Sequence, residues 1–413
     1  MKEILKFGGA SIKNAESIKA VSKIIKDYKN HDVVIVFSAI ANVTNLLEGL
    51  VEAYHRKDND VLMKFNEIKS FHISLVKDLF NSEHHIFDII NNLFVEIEWA
   101  LEEEPNQIFS YDYDQIVSIG ELLSSNIMSE YLKEVSFKNE FLDVRDVFKS
   151  DNNYQNANID WELTEEICKE KIKNIPVVTQ GFLACSSENF TTTLGREGSD
   201  YSAAILAYVL EAERVVIWKD VDGVLTSDPR HFNDSKLLDK LSFSEAVELA
   251  YYGAKVIHPK TIQPLQLKNI PLQVRSFINL ENPGTIISDF KITYNIPSFI
   301  VKENQMLVSI SDKKLSFIVE DHLSYIFSLL DKNNLSVNLM QNSAVSFSLC
   351  IDSSKNSVKF LSQLKDKFDV LYNSNLTLHT IRHYDKQSLD SFIKNKKIIL
   401  EQKSRNTVQL IVE

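Results

Sequence analysis

The chain has 413 residues, 44% of them hydrophobic and 25% charged, with a net charge of −12. This is enough apolar material for two or three packed domains, and the acidity argues against a nucleic-acid or anionic-membrane binder. The three cysteines, Cys168, Cys185 and Cys350, lie far apart with no CxxC pair. They suggest neither a disulfide framework nor a zinc site, and with no basic-then-apolar leader the chain reads as cytoplasmic.

Residues 2–7 (KEILKF) read as a short strand ending in Gly8 and Gly9. Ile18, Val21, Ile24, Ile25 and Tyr28 then fall at helical spacing over 14–28. Residues 33–39 are a continuous apolar run, the pattern of a strand buried on both faces. Residues 44–135 read as a mostly helical block, with long runs around 60–80 and 84–103 and a break near Pro105. A short strand at Val177–Val178, a helix over 201–212 and a buried strand over 215–219 follow. A serine-capped helix over 242–252, closed by Gly253, and a strand over 272–277 complete the region. This alternation predicts an α/β domain over 1–290, a mainly parallel sheet sandwiched by helices.

The segment 281–305 contains Pro283, Gly284 and Pro297 and has no sustained period, so it is read as a boundary. Beyond it come a strand at 306–310, a helix at 322–333, strands at 335–342 and 345–351, a helix at 356–367 and a strand at 370–373. That is a ferredoxin-like βαββαβ order. A second unit begins at Leu376, but only a short helix (388–393) and two strands (398–402, 407–412) follow, so it reads as truncated. The second domain is placed at 298–413.

Only 10 glycines occur in the chain, and most fall at strand ends or before helices. Lys6-Phe7-Gly8-Gly9-Ala10-Ser11 joins a strand to a helix, where exposed backbone N–H groups and a mobile ammonium suit a phosphate. Neither GxxxxGK[ST] nor GxGxxG is present, so a Walker loop and a dinucleotide fingerprint are not supported. Ser38, Ala39 and Thr44 sit where the second strand runs into a helix; Thr44 serves equally as a helix cap or a pocket wall. Gly120-Glu121 marks a close approach or a solvated helix face. In TTTLGREGSD (191–200), Ser199 or Asp200 is expected to cap the following helix, Gly195 and Gly198 to bring backbone close to a ligand, and Arg196 to fork onto a carboxylate or phosphate. Asp220, Leu225 and Arg230 lie in a turn-rich stretch after a buried strand, and Lys255 offers a second cation. His258, before a proline, reads as a packed residue at a helix start. Two lysines and glycine-rich loops, without a Ser-His-Asp or metal cluster, point to phosphoryl transfer.

Taken in order, KFGGAS, SAIANVTN, SIGE, TTTLGREGSD, WKDVDGVLTSDPR and GAKVIHP resemble the aspartate kinases of the amino-acid kinase superfamily. The resemblance is close over residues 1–290 and looser beyond, where it is to paired ACT units. It implies ATP and Mg²⁺ as cofactors, L-aspartate as substrate and 4-phospho-L-aspartate as product, at the entrance to lysine, threonine and methionine synthesis. By motif it implies that Lys6 and Lys255 neutralise phosphates and that Asp200 orients Lys6. It implies that Arg196 holds the substrate carboxylate and Glu121 its ammonium, with Ser38, Ala39, Thr44 and Ser199 lining the pocket. Gly8, Gly9 and Ser11 would cradle phosphate, and Asp220, Leu225 and Arg230 would contact the nucleotide. No residue is assigned as a metal ligand, and a homodimer through the C-terminal units is the family expectation. Glu197 stands where many members have glycine, Ala184 where a second glycine is frequent and Leu225 where tyrosine is common. Lysine-sensing members carry an acid at position 338 and TSE at 342–344; here these are Asn338 and Asn342-Ser343-Ala344, which implies weak or absent lysine inhibition. The alternatives are an inactive amino-acid sensor and a kinase for another small acidic amino acid.

Overall fold

The computed structural model describes residues 2–173, 176–254, 256–292, 294, 296–313, 317–394 and 396–413. The chain forms two compact units. One comprises Met1–Val224, Leu237–Val247 and Val256–Lys291, the other Leu225–Lys236, Glu248–Lys255 and Ile292–Glu413. The long final segment begins inside the stretch read as a boundary. Two short segments, 225–236 and 248–255, group with the second unit, which a division into continuous domains 1–290 and 298–413 does not anticipate.

The first unit opens with β1 (Lys2–Phe7), a 3₁₀ turn at Gly9–Ile12, α1 (Ala15–Lys26) and β2 (Asp32–Phe37). Asn14 caps α1 by accepting the Ser17 N–H at 2.9 Å, and Ile18, Val21, Ile24 and Ile25 form its buried stripe. The helical block is α2 (Val43–Arg56), α3 (Val61–Leu79), α4 (Ile86–Glu102), α5 (Phe109–Val117) and α6 (Ile119–Glu134). Then come β3 (Glu140–Leu142), β4 (Lys149–Ser150), α7 (Trp161–Lys171), β5 (Val177–Gln180), β6 (Leu183–Ser186), β7 (Thr191–Thr193), α8 (Gly198–Leu210) and β8 (Arg214–Lys219). The last elements are β9 (Lys240–Ser242), α9 (Phe243–Tyr252), inside which the division between units falls, α10 (Pro259–Leu267), β10 (Leu272–Ser276) and β11 (Thr285–Ser288).

Eight strands make one sheet in the order β3-β5-β2-β1-β8-β10-β11-β9. Every neighbouring pair is parallel except β10 with β11. The central strands are buried along nearly their whole length; β2 and β8 carry the unbroken apolar runs that this requires, whereas β1 interrupts its run with Lys6. Because Phe7 is in register with both Phe37 and Trp218, the chain leaves β1, β2 and β8 at one carboxyl edge. In a parallel sheet this edge is where ligands bind. A small sheet, β4-β6-β7, carries the TTT of residues 191–193 outside the main sheet.

In the second unit the elements are β12 (Ser298–Asp312), α11 (Glu320–Lys332), β13 (Val337–Asn342), β14 (Ser346–Asp352), α12 (Lys355–Lys367), β15 (Phe368–Arg382), α13 (Lys386–Ile393), β16 (Ile398–Lys403) and β17 (Thr407–Val412). They form one antiparallel sheet, β13-β14-β12-β15-β17-β16. The order β13-β14-β12-β15 with α11 and α12 is the ferredoxin-like arrangement read from sequence. The strand read at 306–310 extends over Ser298–Asp312, its pairing with β15 shifting register between Lys302 and Gln305 and again between Gln305 and Leu307, and the strand read at 370–373 runs on past Leu376 to Arg382. Among the described residues, the second half of the sheet carries one helix, α13.

Candidate active site

At the carboxyl edge of β1 and β8 the chain places two ammonium groups around one carboxylate. Lys6 Nζ lies 2.5 Å from Asp200 Oδ1, and Lys219 Nζ lies 3.1 Å from Oδ2. Asp200 is only 2% exposed. Burial alone would raise its pKa, but Lys6 and then Lys219 outweigh that and hold it below the usual carboxylate range. Burial works against the charge on Lys219, and Asp200 followed by Glu197 more than restores it. The cluster therefore carries a net positive charge at a sheet edge, with the intervening carboxylate holding two cations that would otherwise repel. The Lys6 ammonium lies against Gly8, 3.4 Å from where a Cβ would stand. This is a fixed cationic cradle of the kind that takes a phosphate chain.

Beside it, Glu121 lies in the first turn of α6 and is 3% exposed. As the sequence reading expected, Gly120 and Glu121 lie inside a helix, in the first turn of α6 just after the break at Ser118. A Cβ on Gly120 would stand 3.2 Å from Ala39 Cβ and 3.0 Å from Leu47 Cδ1, so glycine permits that approach. Glu121 Oε1 accepts the Ala39 N–H at 3.3 Å, while Oε2 is buried with no hydrogen-bond partner among the described residues. Burial pushes this carboxyl up to about 8, against smaller lowering effects from the Ala39 N–H and Lys6. A buried acid with an idle oxygen is a receptor for a cation. The 38–41 loop is itself pinned: Ser38 O accepts Ser124 Oγ at 2.7 Å, and Ala41 N donates to Gly9 O at 3.2 Å.

TTTLGREGSD folds differently from its reading in its helix cap. Asp200 and Ser199 do not cap α8; the N-cap is Glu197, in left-handed backbone (φ 53°) without a side-chain cap bond, and Asp200 is spent on the lysines. Gly195 has φ +77°, and a Cβ on Gly198 would meet Phe182 Cδ2 at 2.6 Å. Below the loop Asp114, on α5 and fully buried, accepts Thr193 N at 2.9 Å, Thr193 Oγ1 at 2.6 Å and Gln155 N at 3.0 Å. Burial pushes it up to about 6 despite these donors. From α10, Lys260 Nζ donates to Asn156 Oδ1 at 2.8 Å and Leu194 O at 3.3 Å. Arg196 is exposed in the loop and Ser199 is buried. His258 is the N-cap of α10, accepting the Lys260 N–H at 3.2 Å, in keeping with its structural reading.

The structure thus brings together Lys6, Gly8, Gly9, Ser38, Ala39, Glu121 and Asp200, and adds Lys219, which sequence reasoning missed. Thr44 sits half-buried in the first turn of α2, and Asp220 is exposed just after β8. Ser11 does not offer donors to a phosphate: its amide and hydroxyl both bond Gly8 O, at 2.9 and 2.6 Å, and close the turn. Leu225 and Arg230 belong to the second unit. There Arg230 is forked onto Asp228 (Nη2 to Oδ2 2.6 Å, Nε to Oδ1 3.1 Å), which holds Asp228 at about 2. Lys255 lies outside the described residues. In the same unit Lys302 Nζ donates to Asn338 Oδ1 at 2.8 Å, and Asn338 Nδ2 donates to Gln305 Oε1 and Asp352 Oδ1 at 2.8 and 3.0 Å.

Residues 1–276 match the amino acid kinase family. The chain is 33% identical over 361 residues to lysine-sensitive aspartokinase 3 of Escherichia coli K12, covering 85% of this chain and 79% of that protein. It is 29% identical over 387 residues to bifunctional aspartokinase/homoserine dehydrogenase 2 of Arabidopsis thaliana, covering 89% of this chain but 42% of that protein, so it spans under half of such bifunctional relatives. The crystal structure of E. coli aspartokinase III in complex with aspartate and ADP superposes with a TM-score of 0.84 at 28% identity, covering 100% of this chain and 96% of that one. Among the described residues no helix is long and apolar enough to cross a membrane.

Proposed function

The chain belongs to the amino acid kinase family, among the aspartokinases, and on that premise we propose that it phosphorylates the side-chain carboxylate of L-aspartate with ATP, giving 4-phospho-L-aspartate and ADP. The observation that carries the reading is the buried Lys6–Asp200–Lys219 cluster set beside the idle Glu121 carboxyl. One group suits phosphates and the other an α-ammonium, which together describe an amino acid meeting a nucleotide.

In the step itself, a carboxylate oxygen of aspartate bonds to the γ-phosphorus while the bond from that phosphorus to the β–γ bridging oxygen breaks. The attacking carboxylate is ionised at pH 7, so no general base is needed. The barrier lies in bringing anions together and in stabilising the charge that gathers on the bridging oxygen. Lys6 and Lys219 stand where that charge is met, their positions set by Asp200 before substrate arrives, so no reorganisation is required during transfer. Glu121 takes the substrate ammonium and Arg196 its α-carboxylate; Ser38, Ala39, Thr44 and Ser199 wall the pocket. Gly8 and Gly9 leave backbone room for phosphate, while Asp220, Leu225, Arg230 and Lys255 serve the nucleotide. Asp200 is committed to two lysines, so Mg²⁺ would enter on the ATP, held by its phosphate oxygens, where it neutralises phosphate charge.

For the second unit we propose paired ACT-like modules that join two chains into a homodimer, with little response to lysine. What supports the latter is Lys302, whose own ammonium already occupies Asn338 Oδ1. Three buried, unpaired cysteines fit a cytoplasmic enzyme supplying lysine, threonine and methionine synthesis. The test is hydroxamate trapping with aspartate, glutamate and acetylglutamate in parallel. Turnover of aspartate alone, abolished in Lys6→Ala, is expected; no turnover of aspartate, or full activity in Lys6→Ala, would overturn the proposal.

A further inference from the structure

We propose that His84, His85 and Glu130 form a binding site for one divalent transition-metal ion of the zinc class, unconnected with the phosphoryl-transfer chemistry. Among the described residues they are the one group of three or more His, Cys, Asp or Glu side chains whose ligand atoms converge, all within 4.8 Å of one another. The turn between α3 and α4 supplies both histidines, and α6 supplies Glu130.

The arrangement is built in depth. The imidazoles stack with centroids 4.4 Å apart, and His84 packs on Phe80 at 4.6 Å, which fixes the ring planes. Glu130, its side chain 9% exposed, points Oε2 at His85 Nε2 (2.8 Å), and Lys133 holds its Oε1 at 2.7 Å. His84 Nε2 faces Glu134 Oε1 at 3.2 Å, outside the converging group of three. Ligands of a tetrahedral zinc sit roughly 3.3 Å apart at bond lengths of about 2.0–2.1 Å. Small side-chain movements therefore close this group onto an ion, and His85, 63% exposed, gives it a path from solvent.

Nitrogen and carboxylate donors together suit zinc, nickel or copper better than calcium or magnesium, which prefer oxygen alone. Two features temper the affinity. His84 Nδ1 accepts the Ile86 N–H at 3.1 Å, so binding a metal through Nε2 moves a proton to Nδ1 and gives up that bond. Lys133 adds a positive charge that competes for Glu130. A bound ion would clip the start of α4 to the end of α6.

The test uses the full chain stripped with a chelator and titrated calorimetrically with Zn²⁺ and then Ni²⁺. One equivalent per chain with a Kd below about 10 µM is expected, together with a raised Tm in zinc. His85→Ala and Glu130→Gln should each weaken binding more than about tenfold and leave metal-free kinase activity at the wild-type level. Lys133→Ala should tighten binding, which keeps the proposal testable if either ligand variant misfolds. Unchanged affinity in the ligand variants, weaker binding in Lys133→Ala, or a wild-type Kd above about 100 µM means that these are ordinary histidine–carboxylate hydrogen bonds, and the proposal fails.

Discussion

Replacing Glu121 by glutamine should separate stability from function, and the size of the effect follows from the structure. The carboxyl is raised from an ordinary 4.5 to about 8 by burial. Between those values the native chain keeps a proton that the unfolded chain has lost. The stabilisation is fully present below 4.5 and is lost as pH rises through 8. Each pH unit inside the interval removes about 1.36 kcal/mol, so from pH 5 to pH 7 the wild type should lose about 2.5 kcal/mol that Glu121→Gln keeps. Asp114, raised to about 6, titrates in the same window but is common to both proteins and cancels in the difference. Glutamine retains an oxygen for the Ala39 N–H, so the site keeps its shape. The assay is urea unfolding of both proteins at pH 5, 6 and 7. A stability gap constant within about 0.5 kcal/mol across that range would refute the account of Glu121 as a buried, protonated acid. The same account requires aspartate binding at pH 7 to expel up to about one proton, since an arriving ammonium draws the carboxyl back to its ionised form. Calorimetry in buffers of differing ionisation enthalpy measures that number.

Three further outcomes are expected. Asp114→Ala strands the Thr193 amide and hydroxyl and the Gln155 amide in the interior; a loss of about 3 kcal/mol or more should appear in the urea midpoint, with KM for aspartate rising as the loop loosens. Asp200→Asn removes the charge between Lys6 and Lys219 and should lower kcat by about 10²–10³-fold with a smaller change in KM for ATP, read by steady-state kinetics. Asn338→Asp places an acid next to Lys302 Nζ; if the chain's own ammonium occupies that position, millimolar lysine should still inhibit weakly, whereas the double change Lys302→Met, Asn338→Asp should confer inhibition.

Much of the first unit could be read locally because β2 and β8, buried on both faces, carry unbroken apolar runs. Lys6, Glu121 and Asp200 stood out as charges inside glycine-marked loops. Lys219 did not, because a lysine closing VVIWK looks like an ordinary strand end; only the pairing of Trp218 with Phe7 brings it to the edge where Lys6 and Asp200 meet. Asp200 was misread as a cap because capping is a local rule, and a tertiary ion pair claimed the side chain instead. Glu197 stands where many members of the family have glycine. The structure gives its backbone the α8 N-cap position and places its carboxylate close enough to Lys219 to help keep that lysine charged. The excursions at 225–236 and 248–255 leave no mark in composition, since grouping with another unit changes contacts and not residue types.

The two strands β12 and β15, 15 residues each, run through both halves of the six-stranded sheet. They pair with each other from Ser298–Arg382 at one end to Asp312–Phe368 at the other. The halves are therefore joined through two shared strands, whose pairing shifts register between Lys302 and Leu307. Amide exchange should report a single protection level along both strands, with the shared backbone hydrogen bonds opening together. Neither half can be deleted, swapped or duplicated by recombination without cutting through a strand that the other half needs.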